Sequence, residues 1–170
     1  MVPKQILIAS CCSILLTVPA WAQSTKLSAG DKAFLKMAAV ADMTQAHLGQ
    51  MAEGKAAPSS IQSFAQTLAK DHTKNYQELA VLDSKLGEPI PIGINVRRNK
   101  AMESLADLKG KRFDGQFLRA EIQDHERVLA AFKREAQHGR DQDVKAFASQ
   151  GLPIVEEHLR EAEKLLKHPS

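Results

Sequence analysis

Apolar side chains recur at helical spacing over four long stretches of the sequence, and this pattern predicts an all-α protein. The stretches cover residues 28–53, 58–86, 111–138 and 141–167. Each has an apolar stripe and a polar opposite face, as helices do when they pack around a shared core. No stretch alternates apolar and polar positions as a half-buried strand would. The pattern therefore predicts a four-helix bundle.

Residues at the ends of these stretches agree with the predicted limits. Ser28 and Asp31 resemble a capping box at the start of the first helix, although Asp is an unusual partner in this motif. Pro58 suits the first turn of the second helix. Glycines are predicted to end the first three long helices, namely Gly54, Gly87 and Gly139.

The connection between the second and third long helices differs in composition. Residues 88–93 contain two prolines and a glycine, which exclude a helix and predict an extended crossover that straps over the end of the bundle. A short extra helix is predicted over residues 95–108, with Met102, Leu105 and Leu108 on its apolar side. In the fourth long helix, Pro153 predicts a kink, because it removes a backbone hydrogen bond.

The first residues have the composition of a secretory signal peptide. A charged start precedes an apolar run over residues 6–18, and Ala20 and Ala22 form a small-x-small cleavage site. We expect cleavage after Ala22, which leaves residues 23–170 as one domain in the periplasm or outside the cell. The apolar run is too short for a membrane span. A lipoprotein processing sequence, Ile8-Ala9-Ser10-Cys11, is the alternative interpretation.

Composition and charge disfavour several classes of function. Both cysteines, Cys11 and Cys12, lie in the predicted signal peptide, so the mature chain has no thiol for disulfides or metal ligation. A formal net charge of +3 is too small to indicate nucleic-acid binding. A basic cluster near the short helix is typical of a solvated face, but it could also contact envelope proteins or anionic lipid. Its members are Arg97, Arg98, Lys100, Lys109, Lys111 and Arg112.

Three histidines occupy positions on the apolar stripes where leucine would be expected. They are His72, His125 and His158, each on a different long helix. Each directly follows an acidic residue, and a Lys or Arg comes two residues later. Glu121 lies one turn before His125 on the same face, and Gln45 lies on the stripe of the first helix.

The spacing of these histidines predicts that they lie at one level of the bundle. If the long helices alternate in direction, each histidine falls roughly 20–25 Å from the same end of the bundle. Facing helices build internal metal sites in this way. Neutral imidazoles suit zinc, copper, iron or nickel, and Glu121 is the fourth candidate ligand. Residues expected to orient the histidines, or to replace them as ligands, are Asp71, Asp124, Glu157 and Gln45.

The same residues have two other interpretations. A buried layer of acid–histidine pairs can set the register between helices in a structural or interaction module of the envelope. In that case, protein groups would bond every ring nitrogen. A metal-dependent redox enzyme would need an open coordination position. The Glu-x-x-His pattern of di-iron bundles occurs only at Glu135 and His138, at a helix end, where we attribute it to chance. We favour a non-enzymatic metal-binding protein.

Four segments of the sequence resemble a known family. They are Phe34–Ala39, Phe64–His72, Phe113-Asp114 with Asp124–Glu126, and Leu152–His158. Together they resemble the secreted bacterial ferritin-like family with domain of unknown function 4142 (DUF4142), over nearly the whole mature chain. The resemblance implies a ferritin-like four-helix bundle in the periplasm or envelope, without an established activity. Metal handling or protection against envelope stress is the role we expect.

Two positions depart from the pattern of that family. Its members often carry Glu where this chain has Gln45, and Tyr where this chain has Phe117. The missing carboxylate disfavours a di-iron centre, because it removes a charge that would help to neutralise two metal ions. A site for one ion, built from histidines, is less affected by this loss.

Overall fold

Four long helices and one short helix form the described part of the protein. The structure is a computed structural model that describes residues 27–93 and 96–168, so the predicted signal peptide lies outside the described residues. The helices are α1 (Ala29–Lys55), α2 (Ser59–Leu86), α3 (Val96–Ala106), α4 (Gly110–His138) and α5 (Gln142–Lys167). The prediction of an all-α bundle with a short extra helix is confirmed. Within these ranges, no helix is long and apolar enough to cross a membrane.

Local sequence determines where several helices begin and end. Ser28 Oγ accepts the N–H of Asp31, and the Asp31 carboxylate accepts the N–H of Ser28, so both halves of the capping box are present. Gly87 ends α2 in a left-handed conformation with φ of 66°. The prediction that Gly54 ends α1 is wrong, because the helix continues to Lys55. Helix α5 continues through Pro153.

The long helices form two antiparallel pairs, α1 with α2 and α4 with α5. At one end of the bundle, Asp31 at the start of α1 accepts the N–H of Arg140, just after α4, at 2.9 Å. At the other end, Ala57 between α1 and α2 donates its N–H to Asp114 at the start of α4, at 3.3 Å. Helices α2 and α4 therefore run parallel, and the expectation that all four helices alternate in direction is wrong.

A crossover along the side of the bundle makes this parallel arrangement possible. It begins near the start of α1, where Lys32 Nζ donates to the Glu88 carboxylate at 2.5 Å. It finishes near the end of α1, where Lys55 Nζ donates to the carbonyl of Ala106, the last residue of α3, at 2.5 Å. The connection thus runs along α1, and the expectation that it straps over the end of the bundle is wrong. A long crossover connection is a known variation of the four-helix bundle.

A layer of polar side chains divides the core into two apolar halves. One half surrounds Phe64 and Phe117, near the turn between α1 and α2. The other surrounds Phe34 and Phe132, whose rings lie 5.0 Å apart, near the turn between α4 and α5. Polar groups this deep are stable only when they find partners. The buried residues of the layer are Asp42, Gln45, His72, Glu121, His125 and His158.

Gly49 allows α1 and α2 to approach closely. A Cβ atom at this position would lie 2.6 Å from the backbone O of Ala65 and 2.7 Å from the backbone N of Ala69. These atoms can move only if α2 shifts, so we expect Gly49→Ala to lower the free energy of unfolding by roughly 1–3 kcal/mol. Gly54→Ala, on the same helix with no atom within 4 Å, should raise it by about 0.5–1 kcal/mol. Chemical denaturation of both variants measures the difference, and similar effects of the two changes would contradict the close contact.

Glu135 and Asp31 form a buried acidic pair where the end of α4 meets the start of α1. Both residues are buried, and Glu135 Oε1 has no hydrogen-bond partner among the described residues. Burial, followed by the hydrogen bond to Asp31 and its charge, raises the pKa of Glu135 to about 7. Between pH 4.5 and about 7, Glu135 is therefore protonated in the folded protein, whereas in the unfolded chain, where its pKa is 4.5, it has lost this proton.

We expect the stability of the wild type to fall, relative to Glu135→Gln, as the pH rises from 4.5 to about 7. In this interval the folded state binds more protons than the unfolded state, so the free energy of unfolding decreases with pH and then levels off. Thermal unfolding at pH 5 and pH 8 measures the effect. The exposed Glu126→Gln on the same helix is the control. If Glu135→Gln is no more stable relative to the wild type at pH 8 than at pH 5, the raised pKa of Glu135 is contradicted.

Candidate metal centre

The polar layer brings together His72 from α2, His125 from α4 and His158 from α5. His125 Nε2 lies 3.4 Å from His72 Nε2 and 3.4 Å from His158 Nδ1. Each ring contributes one nitrogen to a group in which all three lie within 4.8 Å of one another. All three residues are buried.

The histidines meet even though the helix directions differ from the expectation. His72 lies close to the midpoint of α2, and His125 lies close to the midpoint of α4. Reversing either helix therefore leaves its histidine at nearly the same height in the bundle. The prediction that the three histidines lie at one height therefore did not depend on the direction assumed for each helix.

Carboxylates hold the outer nitrogens of two of the rings. His72 Nδ1 donates to Asp42 Oδ1 at 2.8 Å, and His158 Nε2 donates to Asp71 Oδ2 at 3.1 Å. Asn75 Nδ2 donates to the second oxygen of Asp42 at 2.7 Å and fixes that carboxylate. Metal-bound histidines are commonly oriented by such bonds from the nitrogen that does not face the ion.

His125 is oriented by its own helix. Its Nδ1 donates to the backbone carbonyl of Glu121, one turn earlier, at 2.9 Å. The Glu121 carboxylate lies 3.4 Å from the same nitrogen. When the Gln45 amide nitrogen faces this carboxylate, it donates to the two oxygens at 2.7 and 2.9 Å. Glu121 therefore borders the cluster on its outer side and does not join the converging nitrogens.

The second nitrogen of each ring faces the other two rings. A neutral imidazole has a single N–H, and when all three rings are neutral and donate it to their outer partners, the inner nitrogens carry no proton. In those tautomers, the inner contacts at 3.4 Å join lone pairs, which repel unless a cation lies between them. In a tetrahedral site with bonds of about 2.0–2.1 Å, neighbouring ligand nitrogens lie roughly 3.4 Å apart. The two separations from His125 Nε2, to His72 and to His158, match this value, and the three inner nitrogens lie within 4.8 Å of one another.

Burial keeps two of the rings neutral near physiological pH. Burial, followed by the charges of His72 and His158, lowers the pKa of His125 to about 3. Burial, followed by His72, lowers the pKa of His158 to about 4, although Asp71 acts in the opposite direction. A metal binds the deprotonated nitrogen, so both rings are ready to act as ligands at neutral pH.

The two fully buried carboxyl groups differ in their surroundings. Burial, followed by the charge of Asp124, raises the pKa of Glu121 well above its ordinary value, which favours the neutral acid. Burial also raises the pKa of Asp42, but the hydrogen bonds from His72 and Asn75 act against it. Asp42 is therefore the better placed of the two to carry a negative charge beside a cation.

The remaining predicted residues have other partners. Asp124 pairs with Arg98 at 3.3 Å and with Arg127 at 3.2 Å. Glu157, whose side chain is 60% exposed, pairs with Arg160. Of the four residues predicted to orient or replace the histidines, only Asp71 has a hydrogen bond to a ring nitrogen in the described part of the chain, whereas Gln45 bonds Glu121.

Asp42 and Asn75 belong to the site but were missed from the sequence. Asp42 lies on the buried stripe of α1, three residues before Gln45, and this position would have identified it as a buried acid. Asn75 lies one turn after His72 on α2 and is only partly buried, so its position in the sequence does not identify it as part of a buried site. Its role depends on the distance between two helices, which the sequence does not contain.

Comparisons with known proteins identify a family and a fold. The profile of a family described as "Domain of unknown function (DUF4142)" matches residues 16–165. No curated protein matches the sequence. A crystal structure of a DUF305 fragment from Deinococcus radiodurans is similar with a TM-score of 0.73 and 16% identity, covering 84% of this chain and 99% of that one. A conserved hypothetical protein from Mycobacterium tuberculosis has a TM-score of 0.64 and 15% identity, with coverages of 82% and 92%. At these identities, the two structures support the fold alone.

The hydrogen bonds of the cluster predict the tautomers of the metal-free protein. At pH 7.5 we expect a proton on Nδ1 of His125 and on Nε2 of His158, because acceptors face these nitrogens. Nitrogen-15 NMR of histidine-labelled protein distinguishes the two tautomers, with the exposed His47 as the internal reference. Imidazolium signals from both buried rings at this pH would contradict the hydrogen-bond pattern.

Proposed function

This chain belongs to the DUF4142 family, whose description gives no activity, so we propose its function from its own residues. We propose that the protein binds one transition-metal ion between His72, His125 and His158. The convergence of three buried ring nitrogens, two pairs of which lie 3.4 Å apart, carries the proposal. Zinc, copper, iron and nickel are the ions that imidazole ligands suit. Metal handling or protection against envelope stress is the physiological role we infer.

Charge balance supports a divalent ion in this site. Neutral imidazoles bring no charge, whereas Asp42 and Asp71 can each bring one negative charge through their bonds to the rings. Two carboxylates would compensate two positive charges in a layer where uncompensated charge is costly. Gln45 contributes no charge and Glu121 favours its neutral form, which supports one ion rather than two.

The alternative interpretations have additional requirements. A layer that only sets helix register needs a further proton, on one of the rings or on Asp42, before the inner contacts at 3.4 Å become hydrogen bonds, whereas a metal ion binds the inner nitrogens of neutral rings. A redox enzyme acting on an organic substrate needs a cavity of about 300 Å³ or more at the metal. The cavity beside His72 has a volume of only about 10 Å³. We therefore retain a non-enzymatic role as the proposal.

The exported location is part of the proposal and rests on the composition of residues 1–22. An envelope protein or an anionic lipid surface would be the partner of the basic cluster near α3. Lys109, Lys111 and Arg112 are exposed or partly exposed at the start of α4, whereas Arg98 pairs with Asp124. These positions leave part of the cluster available for such a contact.

Metal analysis of the protein, purified from the periplasm without an affinity tag, tests the site. We expect about one ion per chain in the wild type and none in His72→Ala/His125→Ala, because one remaining imidazole cannot hold the ion. His47→Ala/His138→Ala, which removes two exposed histidines, is the matched control and should keep the metal.

A titration of chelator-treated protein completes this test. A wild type that is isolated without metal, and that binds none of Zn²⁺, Cu²⁺, Fe²⁺, Ni²⁺ or Mn²⁺, would exclude the metal site. The polar layer would then be a register-setting element, and binding partners would have to explain the function.

A further inference from the structure

We propose that metal ions reach the cluster through the seam between α2 and α5, where Asp71 captures them from solvent. The inference rests on the proposed metal site and adds a path and a positioning residue to it. It follows from the burial of the histidines, the cover over the opposite seam and the exposure of one carboxylate.

The histidines cannot take an ion directly from water. Their side chains are 6%, 1% and 3% exposed for His72, His125 and His158. An ion must therefore pass between helices to reach the inner nitrogens. The helices pack closely within each pair, and the α1–α2 and α4–α5 pairs face one another. Two seams therefore lie between the pairs, one between α1 and α4 and one between α2 and α5.

The seam between α1 and α4 has a cavity of about 670 Å³ beside α3, but buried side chains separate this cavity from the histidines. Helix α3 contacts both α1 and α4 and lies over this seam. Beneath it, Gln45 and Glu121, which are 1% and 0% exposed, stand between the outside and His125. Their hydrogen bonds at 2.7 and 2.9 Å would have to break before an ion could pass.

The seam between α2 and α5 has a carboxylate at its surface. The Asp71 side chain is 31% exposed and accepts a hydrogen bond from His158 Nε2 at 3.1 Å. The other carboxylates beside the rings, Asp42 and Glu121, are 4% and 0% exposed. In the described part of the chain, Asp71 is thus the acid that contacts both water and a ring of the cluster. A carboxylate oxygen also binds divalent ions before they lose all their water.

A small cavity continues the path inward from Asp71. It has a volume of about 10 Å³, which is near the minimum that one water molecule needs. Asp42, His72 and Asn75 line it together with Asp71, and the 40% exposed Ile154 forms part of its apolar wall. An ion that leaves Asp71 therefore meets oxygen atoms and then an imidazole, so it can exchange its water molecules for protein ligands stepwise.

Asp71 combines two functions that a substitution can separate. Its charge attracts the arriving cation, and its oxygen orients His158. Asp71→Asn keeps an oxygen that accepts a hydrogen bond but removes the charge. The variant should therefore impair uptake much more than it impairs retention of the ion.

Stopped-flow mixing of the metal-free protein with Co²⁺, followed by its visible absorption, tests the path. We expect Asp71→Asn to slow association about tenfold at low ionic strength, and the difference should shrink in 0.5 M NaCl, because exposed charges are screened. Release of Co²⁺ into excess chelator should change less than about threefold. Ile154→Trp, which adds bulk at the cavity without changing charge, should also slow association.

Two carboxylate variants serve as matched controls. Asp124→Asn removes a 20% exposed acid that also precedes a histidine but lies on the α1–α4 side, and it should keep the wild-type association rate. Asp42→Asn removes the buried acid bonded to His72, and it should raise the dissociation rate more than it lowers the association rate.

Equilibrium titration with Co²⁺ in the same samples separates the two proposals. A wild type that binds no Co²⁺ overturns the metal site, and the path with it. A wild type that binds Co²⁺ while Asp71→Asn and Ile154→Trp take it up at the wild-type rate overturns only the path. Slower uptake by Asp124→Asn alone would assign the path to the seam between α1 and α4.

Discussion

Each neutral imidazole has one proton to donate, and the centre of this bundle depends on where three buried rings donate it. His72 and His158 donate outward to carboxylates, and His125 donates outward to a backbone carbonyl. When all three rings are neutral, the inner nitrogens are then left as lone pairs among buried side chains. A cation between them removes the repulsion and uses every donor and acceptor of the three rings. The metal proposal therefore follows from hydrogen-bond accounting as well as from the kind of residue present.

The fold holds these rings at one height because apolar packing lies on both sides of them. The aromatic residues near the two ends of the bundle belong to separate apolar clusters, with the polar layer between. Asp42 and His72 bond within the α1–α2 pair, whereas Asp71 and His158 bond across from α2 to α5. The layer thus joins the two helical pairs at their middle. A bound ion would strengthen this joint, since it would connect α2, α4 and α5 directly.

The position of the site in the bundle also accounts for how it can be reached. A crossover and α3 cover the side between α1 and α4, because parallel α2 and α4 require a connection that runs the length of the bundle. The opposite side has only short turns, so no chain segment in the described ranges crosses the seam between α2 and α5. The connectivity that makes the fold possible therefore leaves one side of the polar layer uncovered by other described segments, and this is the side on which we propose that an ion approaches.

Periodicity alone determined the helices of this protein, because burial selects apolar residues at every third or fourth position whatever the helix packs against. It also determined that His72, His125 and His158 are buried at mid-helix. Helix direction was decided by tertiary structure, since a stripe of apolar residues has no polarity that tells α4 to run parallel to α2. The partners of the rings were decided in the same way. Asp42 and Asn75 meet only because α1 and α2 pack closely, and Glu121 faces Gln45 only because α4 lies across from α1. Spacing along a chain specifies the face of a helix, whereas distances between faces depend on how all the helices pack together.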